Sequence, residues 1–72
     1  MCFSKSILQA RHRAGLSLRE LARRLVAAGI PCTAQQISEW ERGLVEPRVS
    51  AYLAILRACA RAYARAHGRA RA

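Results

Sequence analysis

Residues 33–43 read TAQQISEWERG, and this stretch decides the fold. Thr33 followed three residues later by Gln36 is a capping box, in which each side chain bonds the other residue's backbone N–H at the start of a helix. Ile37 and Trp40 are three residues apart, so they lie on one face of that helix. The stretch therefore predicts a short helix with an apolar inner face and a polar outer face.

Two further capping boxes precede apolar segments upstream of this helix. Ser6 is followed three residues later by Gln9, and Ser17 by Glu20, and each pair predicts a helix start. A glycine follows each of the first three segments and predicts its end. The expected helices run from Lys5 or Ser6 to Ala14, from Leu18 to Ala28, from Ala34 to Arg42, and from Val49 or Ser50 to His67.

Each predicted helix has apolar residues at helical spacing, and no segment shows the alternation of a strand. The inward-facing residues are expected to be Ile7, Leu8 and Ala10; Leu18, Leu21, Ala22, Leu25 and Val26; Ile37 and Trp40; and Tyr52, Ile55, Leu56, Cys59 and Tyr63. The fold class predicted is an all-α, compact bundle of four to five helices. Residues 1–67 form its single domain, and residues 68–72 are expected to be a disordered basic tail.

The charge of the chain points to a polyanionic partner. Thirteen Lys and Arg oppose four Asp and Glu, which gives a net charge of +9, and twelve of the thirteen are arginine. Arginine binds phosphate oxygens and guanine edges through a planar fork of donors. The residues Arg57, Arg61 and Arg65 recur every four positions, and this pattern fits either a solvated helix face or a surface for nucleic acid or a partner.

Several other function classes are disfavoured by the sequence. No nucleophile–base pair, phosphate loop or carboxylate dyad indicates an enzyme. Three widely spaced cysteines and two isolated histidines indicate neither a disulfide framework nor a metal site, and no cofactor or small-molecule ligand is expected. No apolar run is long enough for a signal peptide or a membrane span, so the expected location is cytoplasmic.

Two short helices joined by a turn, the second polar on its outer face, are typical of a helix-turn-helix that places its second helix in the major groove of DNA. Residues 15–22 (GLSLRELA), residues 33–43 and Pro47 resemble the Cro/C1-type, or XRE, family of helix-turn-helix proteins. The resemblance covers about Ile7 to Cys59. It implies a lambda-repressor-like bundle that binds operator DNA, usually as a dimer.

The same resemblance implies roles for individual residues. The positions that would contact base edges are Ala34, Gln35 and Glu39. The positions that would contact the DNA backbone are Ser17, Arg19, Thr33, Gln36, Arg42 and Arg48, and the last could reach the minor groove. Arg11 and Glu41 match an ion pair that ties the first helix to the end of the recognition helix.

The chain departs from the family pattern at two places. Leu18 stands where family members commonly carry glutamine. The segment between Leu25 and Ile37 is longer than usual by about one helical turn, and the extra residues are placed at Val26 to Cys32. We therefore expect an elongated turn before the recognition helix, which could enter the groove at a different tilt.

The resulting hypothesis is a sequence-specific transcriptional repressor from a phage or mobile element that binds an inverted-repeat operator as a homodimer. A small domain gains specificity by reading two half-sites, and the expected dimer surface contains Leu44, Val45, Tyr52 and Tyr63. The alternatives are a protein-interaction module or antitoxin-like protein that uses the same bundle, and a non-specific cationic RNA binder.

Overall fold

The computed structural model describes residues 3–67, which form four α-helices without a strand. The helices are α1 (Phe3–Ala14), α2 (Leu18–Ala27), α3 (Ala34–Glu41) and α4 (Val49–His67). The prediction of an all-α bundle is confirmed, with four helices in the described part of the chain. The tail predicted at residues 68–72 lies outside the described residues. No helix within residues 3–67 combines the length and the apolar character needed to cross a membrane.

The core lies where the four helices meet. α1 and α2 each pack against both α3 and α4. Every helix contributes at least one completely buried large side chain, and together these are Ile7, Leu21, Leu25, Ile37 and Ile55. Burying one such side chain contributes about 1.5–3 kcal/mol to folding. α3 supplies only Ile37 to this group. The position of α3 therefore depends strongly on its packing against α1 and α2.

Two of the three predicted capping boxes form. The Ser17 hydroxyl accepts the Glu20 backbone N–H at 3.1 Å, and the Glu20 carboxylate accepts the Ser17 N–H at 2.9 Å. At the start of α3 the corresponding distances between Thr33 and Gln36 are 3.1 and 3.0 Å. Both α2 and α3 therefore begin where the sequence pattern places them.

The third predicted capping box, at Ser6, is wrong. α1 begins three residues earlier, at Phe3, so that Ser6 lies inside the helix. The Phe3 ring stacks on the ring of Tyr52 in α4, with centroids 4.4 Å apart. This contact between distant parts of the chain stabilises an extra first turn, and no local pattern around Ser6 reports it.

The predicted glycine ends of α1, α2 and α3 share one geometry. After α2, the N–H of Gly29 donates to Val26 at 3.0 Å, and that of Ile30 donates to Leu25 at 2.8 Å. These two bonds form a Schellman motif. Gly29 has a φ of +90°, a conformation that residues with a Cβ atom rarely adopt. The same pair of bonds closes α1 and α3.

The predicted buried face of α4 is partly wrong. Ile55 and Cys59 are buried as expected, but the rest of the buried stripe consists of two alanines, Ala51 and Ala62. Tyr63 is 41% exposed. Small residues allow α4 to approach its neighbours closely, whereas a tyrosine ring at the same place would hold the helices apart. In α2, Val26 is also exposed, because the buried stripe of that helix ends at Leu25.

The two capping boxes predict different responses to pH. The hydrogen bond from the Ser17 backbone N–H is the main cause that lowers the pKa of Glu20 from the ordinary value of 4.5. The stability that this lowering contributes is therefore present above pH 4.5 and is lost as the pH falls through the lower folded-state pKa.

The difference in melting temperature between the wild type and Glu20→Gln should therefore shrink between neutral and acid pH. The control is Gln36→Ala, whose gap from the wild type should stay constant because an amide does not titrate. A Glu20→Gln gap that did not change with pH would contradict this account.

Candidate nucleic-acid interface

α3 is held by its inner face and exposes its first turn. Ile37 is completely buried, and Trp40 packs half-buried against the core one turn later. The side chains of Thr33, Gln35 and Gln36 are exposed at the N-terminal end of the helix. The exposed end therefore carries hydrogen-bonding groups, while the opposite side of the helix is locked to the scaffold.

Two of the three residues predicted to contact bases are less exposed than the third. Ala34 and Glu39 are half-buried, whereas Gln35 is exposed. Glutamine can bond an adenine edge with both an acceptor and a donor. Among the three predicted residues, Gln35 is thus the one with both the chemistry and the exposure for base reading.

The turn before α3 is packed against the core. It comprises residues 28–33, between the last residue of α2 and the first of α3. Ile30 and Cys32 pack against the hydrophobic core, and Pro31 between them is exposed. The turn thus contacts the core at two points, which fixes where α3 begins.

The end of α3 is fastened by an ion pair. The Arg11 Nε donates to Glu41 Oε2 at 2.6 Å, and Nη2 donates to Oε1 at 3.0 Å. The remaining guanidinium nitrogen, Nη1, donates to the Leu16 carbonyl at 3.0 Å. The two side chains are only 13% and 7% exposed. The guanidinium thus ties the last turn of α1 and the turn after it to the last residue of α3. The two residues that the family resemblance pairs are therefore in contact in the structure.

The residues predicted to contact the DNA backbone are all exposed, and they retain free hydrogen-bond donors. The Ser17 and Thr33 hydroxyls accept backbone N–H groups in their capping boxes, which leaves each O–H able to donate. Gln36 uses its carbonyl oxygen in the capping box and keeps its NH₂ group. Arg19, Arg42 and Arg48 are exposed. Donors are the groups that phosphate oxygens require.

The four residues predicted for a dimer surface differ in exposure and in their place in the fold. Leu44 and Val45 are 64% and 51% exposed in the loop between α3 and α4. Tyr52 is half-buried under Phe3, and Tyr63 lies about 16 Å further along α4. Val49, the first residue of α4, is also 64% exposed, and it was not among the predicted residues.

The two described cysteines, Cys32 and Cys59, pack in or against the hydrophobic core. Burial raises the pKa of the Cys59 thiol, and it also raises that of Cys32. Both thiols therefore stay protonated and act as small apolar groups. Within residues 3–67 no group of His, Cys, Asp and Glu is arranged to hold a metal ion.

The fold and the exposed first turn of α3 define the class as a helix-turn-helix protein. A family model described as a helix-turn-helix domain matches residues 8–70. The chain belongs to this family, which is a DNA-binding and typically non-enzymatic one. No curated protein and no solved structure matches the chain.

The ion pair at the end of α3 predicts a large effect of Glu41→Ala. Removing one partner of a buried pair leaves an uncompensated charge, which costs about 3–5 kcal/mol. Chemical denaturation should show a loss near the lower end of that range, because Arg11 keeps some contact with water. The matched control is Glu39→Ala on the same helix, which should change the free energy of unfolding by less than about 0.5 kcal/mol. Equal losses in the two variants would mean that the pair does not hold α3.

Proposed function

We propose that this protein is a sequence-specific transcriptional regulator that binds double-stranded DNA, of the Cro/C1 type found in phages and mobile elements. It acts as a repressor by occupying an inverted-repeat operator as a homodimer. The observation that carries the proposal is the geometry of α3. This helix has a rigidly anchored inner face and an exposed polar first turn, on a chain of net charge +9.

In this proposal the first turn of α3 reads bases from the major groove. Gln35 contacts an adenine edge, while Ala34 and Glu39 line the same side of the helix and contact neighbouring bases. A fixed helix is required, because a side chain discriminates between bases only when its donor and acceptor are held in register. The ion pair of Arg11 with Glu41 and the buried Ile37 supply that rigidity.

The surrounding hydrogen-bond donors bind the phosphates and set the register of the protein on the duplex. Ser17, Thr33 and Gln36 contribute neutral donors beside the helix N-termini, which also attract phosphate through the helix dipole. Arg19, Arg42 and Arg48 contribute charge. These contacts carry no sequence information themselves, but they supply most of the affinity and its dependence on salt.

A dimer is supported by the exposed apolar residues between α3 and α4. Leu44, Val45 and Val49 are each more than half exposed and lie immediately after the proposed recognition helix. Large exposed apolar groups mark interaction surfaces when they cluster. A twofold contact at this loop would place two copies of α3 side by side, as an inverted repeat requires.

Two variants, Gln35→Ala and Arg48→Ala, test whether α3 contacts the bases while Arg48 contacts the DNA backbone. The operator is first selected from a pool of random duplexes, and affinities are then measured on it and on random DNA over a range of salt. Gln35→Ala should cost about 1–3 kcal/mol on the operator and little on random DNA. Arg48→Ala should weaken both and reduce the salt-dependence slope by about one unit.

The control for charge is Arg65→Ala, which removes the same charge near the far end of α4. It should have a smaller effect than Arg48→Ala on both DNAs. The proposal fails if Gln35→Ala lowers operator and random-DNA affinity by the same factor, because α3 would then not be the reader.

The dimer surface is tested by placing a charge in the apolar loop. Val45→Glu should shift sedimentation of the free protein toward the monomer and should abolish cooperative binding to the two half-sites, because it buries an unpaired charge. Val26→Glu is the matched control, since Val26 is similarly exposed but lies on α2. A wild type that stays monomeric both free and on the selected operator would rule out the homodimer.

A further inference from the structure

A groove separate from α3 runs between the end of α2 and the first half of α4. Its volume is about 560 Å³. The floor and walls are formed mainly by apolar side chains, namely Ala27, Ala28, Ile30, Leu53, Ala54 and Ala58. No residue of α3 lines it. The groove is therefore an opening of its own, and none of the residues that line it is among the proposed DNA contacts.

Three arginines surround this apolar floor. Arg24 comes from α2, and Arg57 and Arg61 stand one turn apart on α4. Within residues 3–67 none of the three forms an ion pair or a side-chain hydrogen bond. Arg24 stands one turn after Glu20 and its charge acts on that carboxylate, whereas Arg57 and Arg61 have no carboxylate partner in the described part of the chain. The groove thus combines an uncovered apolar surface with guanidinium groups that no ion pair holds.

The composition of the groove argues against two simple occupants. A second copy of this chain would bring a second set of arginines against the first, and the protein has only four carboxylates to compensate. Two of these are already engaged, Glu41 with Arg11 and Glu20 in its capping box. A DNA backbone would satisfy the arginines, but its phosphates would leave Leu53, which is 44% exposed, against a charged surface.

We propose that this groove binds an acidic amphipathic helix of a partner protein. The apolar side of such a helix would cover the floor between α2 and α4, and carboxylates along its edge would pair with Arg24, Arg57 and Arg61. The lining of α4 extends from Ser50 to Arg61, a length of about 17 Å, or about three helical turns. This length suits the helix-in-groove mode of recognition, in which apolar side chains recur every three to four residues. The inference does not depend on the proposed DNA-binding function.

The probe is a synthetic fluorescent peptide with leucines at helical spacing along one face and glutamates beside them. Fluorescence anisotropy with the full chain should show saturable binding to the wild type. Peptides with a scrambled order, or with glutamine in place of glutamate, should bind much more weakly. The pair of substitutions Arg57→Gln and Arg61→Gln should weaken binding roughly tenfold. The matched control is Arg65→Gln, which removes the next arginine along α4 but lies outside the groove.

A second variant tests the shape of the groove independently of its charge. Ala27 is exposed at the end of α2, so that Ala27→Trp should fill the opening with little cost to folding and should block the peptide. Chemical-shift mapping of the wild type should place the peptide on the apolar lining residues. The proposal is overturned if the scrambled peptide binds as well, or if Arg65→Gln weakens binding as much as the groove pair does. It is also overturned if Ala27→Trp retains the peptide, or if the groove variants impair only DNA binding or only self-association.

Discussion

The bidentate contact between Arg11 and Glu41 is the constraint on which the proposed reading surface depends. α3 has eight residues, and isolated helices shorter than about 12–15 residues are marginal in water. Its inner face is fixed by one fully buried side chain, Ile37, and by the half-buried Trp40 one turn later. The ion pair holds the other end, and because the same guanidinium also binds the Leu16 carbonyl, the end of α3 is coupled to the turn between α1 and α2.

The features that the sequence predicts correctly are those that local chemistry determines. The boxes at Ser17 and Thr33 and the glycine closures need only residues a few positions apart, and all of them form. The start of α1 was missed because it depends on Phe3 meeting Tyr52, 49 positions away in the chain. The buried face of α4 was partly missed for a related reason, since a hydrophobicity pattern ranks Tyr63 above Ala62 without knowing how closely the neighbouring helices approach.

In the candidate site too, the sequence predicts local contacts but not contacts between distant residues. Exposure of Gln35 and the engagement of Thr33 with Gln36 follow from helix geometry, so the sequence could anticipate them. The partner of Glu41 lies thirty residues away, and only the family resemblance suggested it. The groove could not have been predicted at all, because its two walls come from helices separated by α3. A helix pattern shows that Arg57 and Arg61 share a face, but it does not show that Arg24 and Ile30 stand opposite them.

The distribution of charge connects the proposed DNA surface with the groove. An uncompensated charge of +9 on so small a domain opposes folding through self-repulsion, and the fold uses its few carboxylates locally, at Glu41 and Glu20. Within residues 3–67 the arginines other than Arg11 form no ion pair, so anions from outside the chain can neutralise them. Any anion that binds the folded form alone also stabilises it, by an amount that grows with the ratio of its concentration to its dissociation constant. Duplex DNA at α3 and an acidic helix between α2 and α4 would each relieve part of the same repulsion. Occupation of one surface would weaken the electrostatic attraction of the other, so the two partners would be coupled through the charge of the domain even without a change in its shape.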